Sequence, residues 1–196
     1  MMMQQARNFR FARSEYGAVA IEFILVFPVL LIMAFGLIDA TAFISDVRKM
    51  SFSANVIADT VTRLDTPTTP AAVDDAFEAA KIVMRDSQST DVAFVIRTYW
   101  KDPADNVIKP RWSRASGTGA VCGVNTTGLS GLMQQGNDMV IAVVCGKHVP
   151  LVFRALGYTD LGLGSTVFDL KEQIALRPRE NLSLECRACG NLPVSP

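Results

Sequence analysis

The sequence predicts an α+β protein: a long N-terminal helix, apolar in its first half and amphipathic in its second, followed by an exported head built on an antiparallel sheet. Three observations carry this expectation. Between Ala18 and Ile44, 22 of 27 residues are apolar, the exceptions being Glu22, Pro28, Gly36, Asp39 and Thr41. Apolar residues then recur at alternating spacings of four and three, at Phe43, Val47, Met50, Ala54, Ile57, Val61 and Leu64, which is the period of one helix face. Beyond Val92 the pattern changes to β-branched and aromatic runs separated by turn residues, the signature of short strands.

Composition narrows the function before any motif is read. The chain has 196 residues, with 19 Lys and Arg against 19 Asp and Glu and one histidine. That length suits one domain with an appendage. A net charge of zero argues against a nucleic-acid binder, which needs a surplus of cations on one face. It argues equally against a charged disordered tail.

The first element is a basic leader, residues 1–17, in which Arg7, Arg10 and Arg13 face one acid, Glu15. The second, residues 18–44, holds the uncharged stretch. Its first 21 residues would make about 31 Å of helix, enough to cross a hydrocarbon core of about 30 Å. The positive-inside rule then leaves the N-terminus in the cytoplasm and everything after Ile44 outside. Residues 45–65 continue the helix, with Asp46, Arg48, Lys49, Asp59 and Arg63 off the apolar seam; a half-exposed helix packed on its own sheet explains the seam more readily than a coiled coil with another chain. Residues 66–196 form the head.

In the head, Thr69 can cap a helix that has Pro70 at its first position and Val73, Phe77, Ala80 and Met84 on its apolar face. Asp74, Asp75 and Glu78 in its early turns suit the helix dipole and read as a solvated face. Val92 to Trp100 and Val107 to Trp112 read as a hairpin closed by Asp102–Asn106, with Pro110 marking an edge or irregular strand. Ser113 to Gly136 reads as a long loop with a helical turn at Leu129–Gln135. Met139 to Val149 reads as a central strand, and Thr166 to Leu176 as another. The four cysteines, Cys122, Cys145, Cys186 and Cys189, would be oxidised in an exported chain. Of the three possible connectivities the expected one joins Cys122 to Cys145 and Cys186 to Cys189. Without a second CxxC or a nearby histidine, Cys186 and Cys189 read as structural, and not as half of a zinc site or a redox pair.

Nothing here reads as catalytic. His148 would have to anchor any Ser-His-Asp or Cys-His site, yet no GxSxG elbow occurs in the sequence. The glycines at 117 and 119 and at 162 and 164 lack the strand-to-helix setting of a phosphate loop. Trp100 and Trp112, on facing hairpin positions, are expected to pack into the core. The expectation is no enzyme, no cofactor and no metal site.

The functional signal lies at the start of the apolar run. A carboxylate in lipid costs on the order of 2.5–3.5 kcal/mol near a helix centre and less near the interface, so Glu22 needs a partner. A cut between Gly17 and Ala18 would supply one: Glu22 becomes the fifth residue and can pair with the new ammonium of a neighbouring copy. Gly17-Ala18-Val19-Ala20-Ile21-Glu22-Phe23, with its basic leader and the apolar residues up to Leu31, resembles the processing site of type IV prepilins. It is most similar to the TadE-like pseudopilins of the tight-adherence (Tad, Flp) pilus. The resemblance implies a pilin-like minor component cut after the glycine by the prepilin peptidase of the bacterial inner membrane. It implies a single-pass protein with a periplasmic head, other Tad pilins, pseudopilins and inner-membrane assembly proteins as partners, membrane lipid around the helix, and incorporation into the pilus as one possible fate. Gly17 and Ala18 would be the processing site. Glu22 and Phe23 would act in assembly, and Asp39 would mark the helix end, where the family often places an acid. Val149–Val152 and Leu176–Arg179 resemble the family's late strands. Two competing readings use the same residues: a signal-anchored periplasmic binding protein left uncut after Gly17, and secretion through a small-x-small site at Ala40-Thr41-Ala42 that would release a chain starting at Phe43.

Overall fold

The computed structural model describes residues 15–65, 67–87, 89–117, 122–151, 167–179 and 183–190, with side-chain surroundings from Ala20 onward. The basic leader therefore lies outside the described residues up to Ser14. The elements, in chain order, are α1 (Glu15–Thr62), α2 (Pro70–Met84), β1 (Ser89–Lys101), β2 (Ile108–Gly117), α3 (Leu129–Leu132), β3 (Asp138–His148) and β4 (Phe168–Leu176). The fold is α+β, as the periodicities predict. Two compact units divide it, residues 1–41 and residues 42–196, and α1 contributes to both.

In the first unit the helix carries its apolar side chains outward: Ile24, Leu25, Ile32 and Leu37 are all about two-thirds exposed or more. Among the described residues it is the one helix long and apolar enough to span a membrane. Pro28 lies inside it and cannot donate to the carbonyl one turn back.

The second unit is a four-stranded antiparallel sheet in the order β2-β1-β3-β4. One face carries Phe94, Ile96, Trp112, Val140, Ala142, Val144 and Leu170, and against it pack Met50, Ala54, Ile57 and Val61 of α1 and Val73, Ala76, Phe77 and Ala80 of α2. The four-three seam read from the sequence is thus the buried face of α1. The opposite face carries Ala93, Val95, Tyr99, Met139, Ile141 and Val143 and is covered by Cys122, Leu129 and Met133. Being covered on both sides, β3 reads as a continuous apolar run and not as an alternating one. Gly146 makes room for α1: a Cβ there would sit 2.8 Å from Met50 Cε.

Local chemistry sets the element ends. The Thr69 hydroxyl accepts from Ala72 N at 3.4 Å and Pro70 occupies the first turn, the capping expected from sequence. The hairpin turn is closed by Lys109, whose Nζ reaches Asp102 at 2.5 Å and Asp105 at 2.8 Å. The Lys109 hydrogen bonds hold both carboxyls below the ordinary aspartate value.

Several expectations need correction. The second strand continues to Gly117, paired with Ala93, so the loop expected from Ser113 begins later; pairing to β1 overrides the weak strand preference of Ser and Gly. The register is irregular where Thr98 and Tyr99 face Trp112 and Pro110, leaving Arg111 as the extra residue, as a proline in an edge strand demands. Trp100 and Trp112 therefore do not face each other. Trp112 is buried, whereas Trp100 is partly exposed beneath the Arg111 guanidinium at 5.1 Å. Asp74 is more than a solvated dipole partner: it makes a two-pronged pair with Arg114 of β2, at 2.6 and 2.5 Å. That contact ties α2 to the sheet, and hydrogen bonding to Arg114 lowers the Asp74 pKa. The expected late strands fall at strand ends: Val149–Leu151 follow β3, and only Leu176 of the second stretch is in β4.

Candidate functional site

Gly17 and Ala18 lie on the α1 backbone, their side-chain surroundings outside the described residues. Glu22 follows one turn later and is exposed, as is Phe23, whose ring stacks on Phe27 with centroids 5.3 Å apart. This i, i+4 aromatic pair stiffens the turn that carries the carboxylate. Asp39 is half-buried, and two residues on, the Thr41 hydroxyl donates to Ile38 O at 2.8 Å. Seventeen residues of helix separate Glu22 from Asp39, about 25 Å. The two acids are separate polar points on an apolar rod, not a pair.

The structure adds a constellation that the sequence reading missed. Asp46, expected off the seam, is 1% exposed. Its Oδ1 accepts from the Ser87 hydroxyl at 2.8 Å, and its Oδ2 accepts from the Ser89 hydroxyl at 3.0 Å and faces His148 Nδ1 at 2.8 Å. His148 is equally buried. Phe43 presents edge-on geometry to the His148 ring at 5.4 Å and to Phe168 at 5.8 Å. The cluster joins α1, the α2–β1 connection, the start of β1 and the end of β3, with the aromatic lid drawn from α1 and β4. Both serines donate to the carboxylate. Such an arrangement fixes an acid in place, whereas a nucleophilic serine would have to meet the imidazole. One signal in the sequence could have exposed it: Asp46, Met50, Ser53 and Ile57 form their own four-three-four row, and all four are buried.

At the other end of the sheet a C-terminal strap is held by buried polar groups. Leu184 is fully buried; its N–H donates to Asp138 Oδ2 at 2.5 Å and its carbonyl accepts from Trp112 Nε1 at 2.8 Å. Thr68 N donates to Glu185 O at 2.8 Å, and Arg187 N to Thr68 O at 3.1 Å. Disulfides join Cys186 to Cys189 within this strap and Cys122 to Cys145 on the opposite face of the sheet. Asp138 also accepts from Arg111 Nε at 3.1 Å, yet burial outweighs both hydrogen bonds and raises its pKa.

A folded-state pKa above the unfolded one means that the native state binds more protons between the two values, so this carboxyl's contribution to stability falls as pH rises through that window. Replacing it with Asn should abolish that slope. Unfolding measured across the acid range should show the stability of wild type relative to Asp138→Asn growing as pH falls from the raised value toward the ordinary aspartate value.

Residues 17–54 match the family model of TadE-like proteins. Over this stretch the chain is similar to TadE-like proteins. No curated protein and no solved structure matches it. The TadE-like segment begins at Gly17, takes in Glu22, Phe23 and Asp39, and runs into the buried row of α1 as far as Ala54. It therefore includes Asp46, while Ser87, Ser89 and His148 lie outside it. The one helix among the described residues that is long and apolar enough to span a membrane is compatible with a single-pass anchor.

Proposed function

We propose that this chain is a minor pseudopilin of a tight-adherence pilus, held in the bacterial inner membrane by α1 with its head in the periplasm and cut after Gly17 by the prepilin peptidase. The observation that carries the reading is the TadE-like match, which starts at Gly17 and covers Glu22 and Asp39. Gly17 suits a cleavage site because the missing side chain lets the backbone approach a protease closely. After the cut, Glu22 is the fifth residue. Its carboxylate then neutralises the amino terminus of a neighbouring subunit, and the cost of an unpaired charge in lipid favours the one axial stagger that brings the two together. Phe23 supports that contact, and Asp39 marks the point where the helix leaves the hydrocarbon. The partners are the peptidase, other pilus subunits and inner-membrane assembly proteins; the role is structural and not enzymatic, with adherence following from assembly.

Mass and N-terminal analysis of the membrane-extracted chain tests the processing step. A start at Ala18 is expected, and Gly17→Ala should retain the leader. A wild-type start at Met1 would instead favour an uncut signal-anchored binding protein, and a start at Phe43 would mean secretion. Glu22→Ala should still be cut but fail to join pilus subunits, as read by co-purification; normal incorporation would remove the assembly role of Glu22.

A further inference from the structure

The two edges of the sheet differ. On β2, Pro110 offers no N–H, Arg111 interrupts the register, and Ser113 N already donates to Gly190 O at 3.3 Å. These are common ways of blocking a sheet edge. Across the sheet, β4 pairs with β3 in nine consecutive register positions without a shift, from Val140 opposite Leu176 to His148 opposite Phe168. It contains neither proline nor glycine. Among the described residues, its outward backbone groups make no main-chain hydrogen bond beyond those to β3. Phe168, Asp169 and Lys171 on it are exposed. A lysine on an edge ordinarily discourages strand addition; here a carboxylate lies two residues away.

We propose that β4 is an interface for a second copy of this chain, the two β4 strands pairing antiparallel about a two-fold axis normal to the sheet. Such an axis keeps each face of the sheet on the same side, so only residues of the same parity can oppose one another. Registers centred on Lys171 or Glu172 would set like charges directly against each other, which is destabilising. Centring on Leu170 sets Asp169 against Lys171 of the second copy, twice by symmetry, and places Phe168 beside Glu172. This register offers main-chain partners to the outward groups of β4 and uses the edge charges as a lock. Self-complementarity of one patch is what a closed two-fold dimer requires.

Analytical ultracentrifugation of the full chain in detergent, over a range of concentrations, tests it. A dimer is expected in wild type. Lys171→Asp, at an exposed position, should weaken it at least about tenfold by turning two attractions into repulsions. The double exchange Asp169→Lys with Lys171→Asp should restore the dimer. A chain that is monomeric throughout, or a dimer indifferent to Lys171→Asp, would overturn the proposal. So would hydrogen exchange showing the outward amides of β4 already protected in the monomer, since the chain itself would then cover the edge.

Discussion

Asp46→Ala should lower the stability of the head by about 3–5 kcal/mol, because removing the buried carboxyl leaves its hydrogen-bond partners without an acceptor. Ser87, Ser89 and His148 all direct their polar atoms at this carboxylate, and Asp46 and His148 are themselves about 1% exposed. Asp46→Asn keeps an acceptor oxygen in place and should cost less. Denaturant unfolding followed through the buried Trp112 would measure both. A double-mutant cycle with His148→Ala should show strong coupling, since two residues in one hydrogen-bonded network do not act additively. A loss below about 1 kcal/mol for Asp46→Ala would mean that the cluster does not anchor α1.

Leu184→Ala should cost about 2–5 kcal/mol, the range for emptying a fully buried leucine site. Its effect should also be visible locally. The strap has little helix or sheet of its own, so the Leu184 side chain and its bonds to Asp138 and Trp112 anchor its start, beside the backbone bonds of Thr68 to Glu185 and Arg187. Limited proteolysis should therefore cut near Leu184 in the variant sooner than in wild type. Full resistance, with an unchanged unfolding midpoint, would show the strap to be held by other contacts.

These two residues also show where sequence reading reaches and where it stops. The seam of α1 and the Thr69 cap depend on neighbours within a few positions, and both stand as predicted. Asp46 was misread because helical periodicity weighs apolar residues; a carboxylate whose partners lie 41, 43 and 102 residues away looks like a solvated charge until the chain is folded. Leu184 lies in a segment with no period at all, and its importance comes from Trp112 and Asp138, which are distant in sequence. The two-pronged pair of Asp74 with Arg114 was hidden for the same reason. At the N-terminus the reverse holds. Gly17 and Glu22 were singled out from residue type, spacing and the resemblance to prepilins, and because their proposed chemistry is with other molecules, this chain's own packing carries no mark of it.

Asp46 also sets a limit on how this protein could be rebuilt from parts. The family-like segment and the head look like separable modules, and under the proposed function exchange of the N-terminal helix would be a natural way to diversify them. A junction placed after Asp46 would carry a buried carboxyl into a foreign interior without its two serines and histidine. A junction at or before Thr41 leaves the whole cluster with its own head. Recombinants that keep their fold should thus share a crossover point ahead of Asp46, and the last part of the family-like stretch should be inherited with the head and not with the anchor.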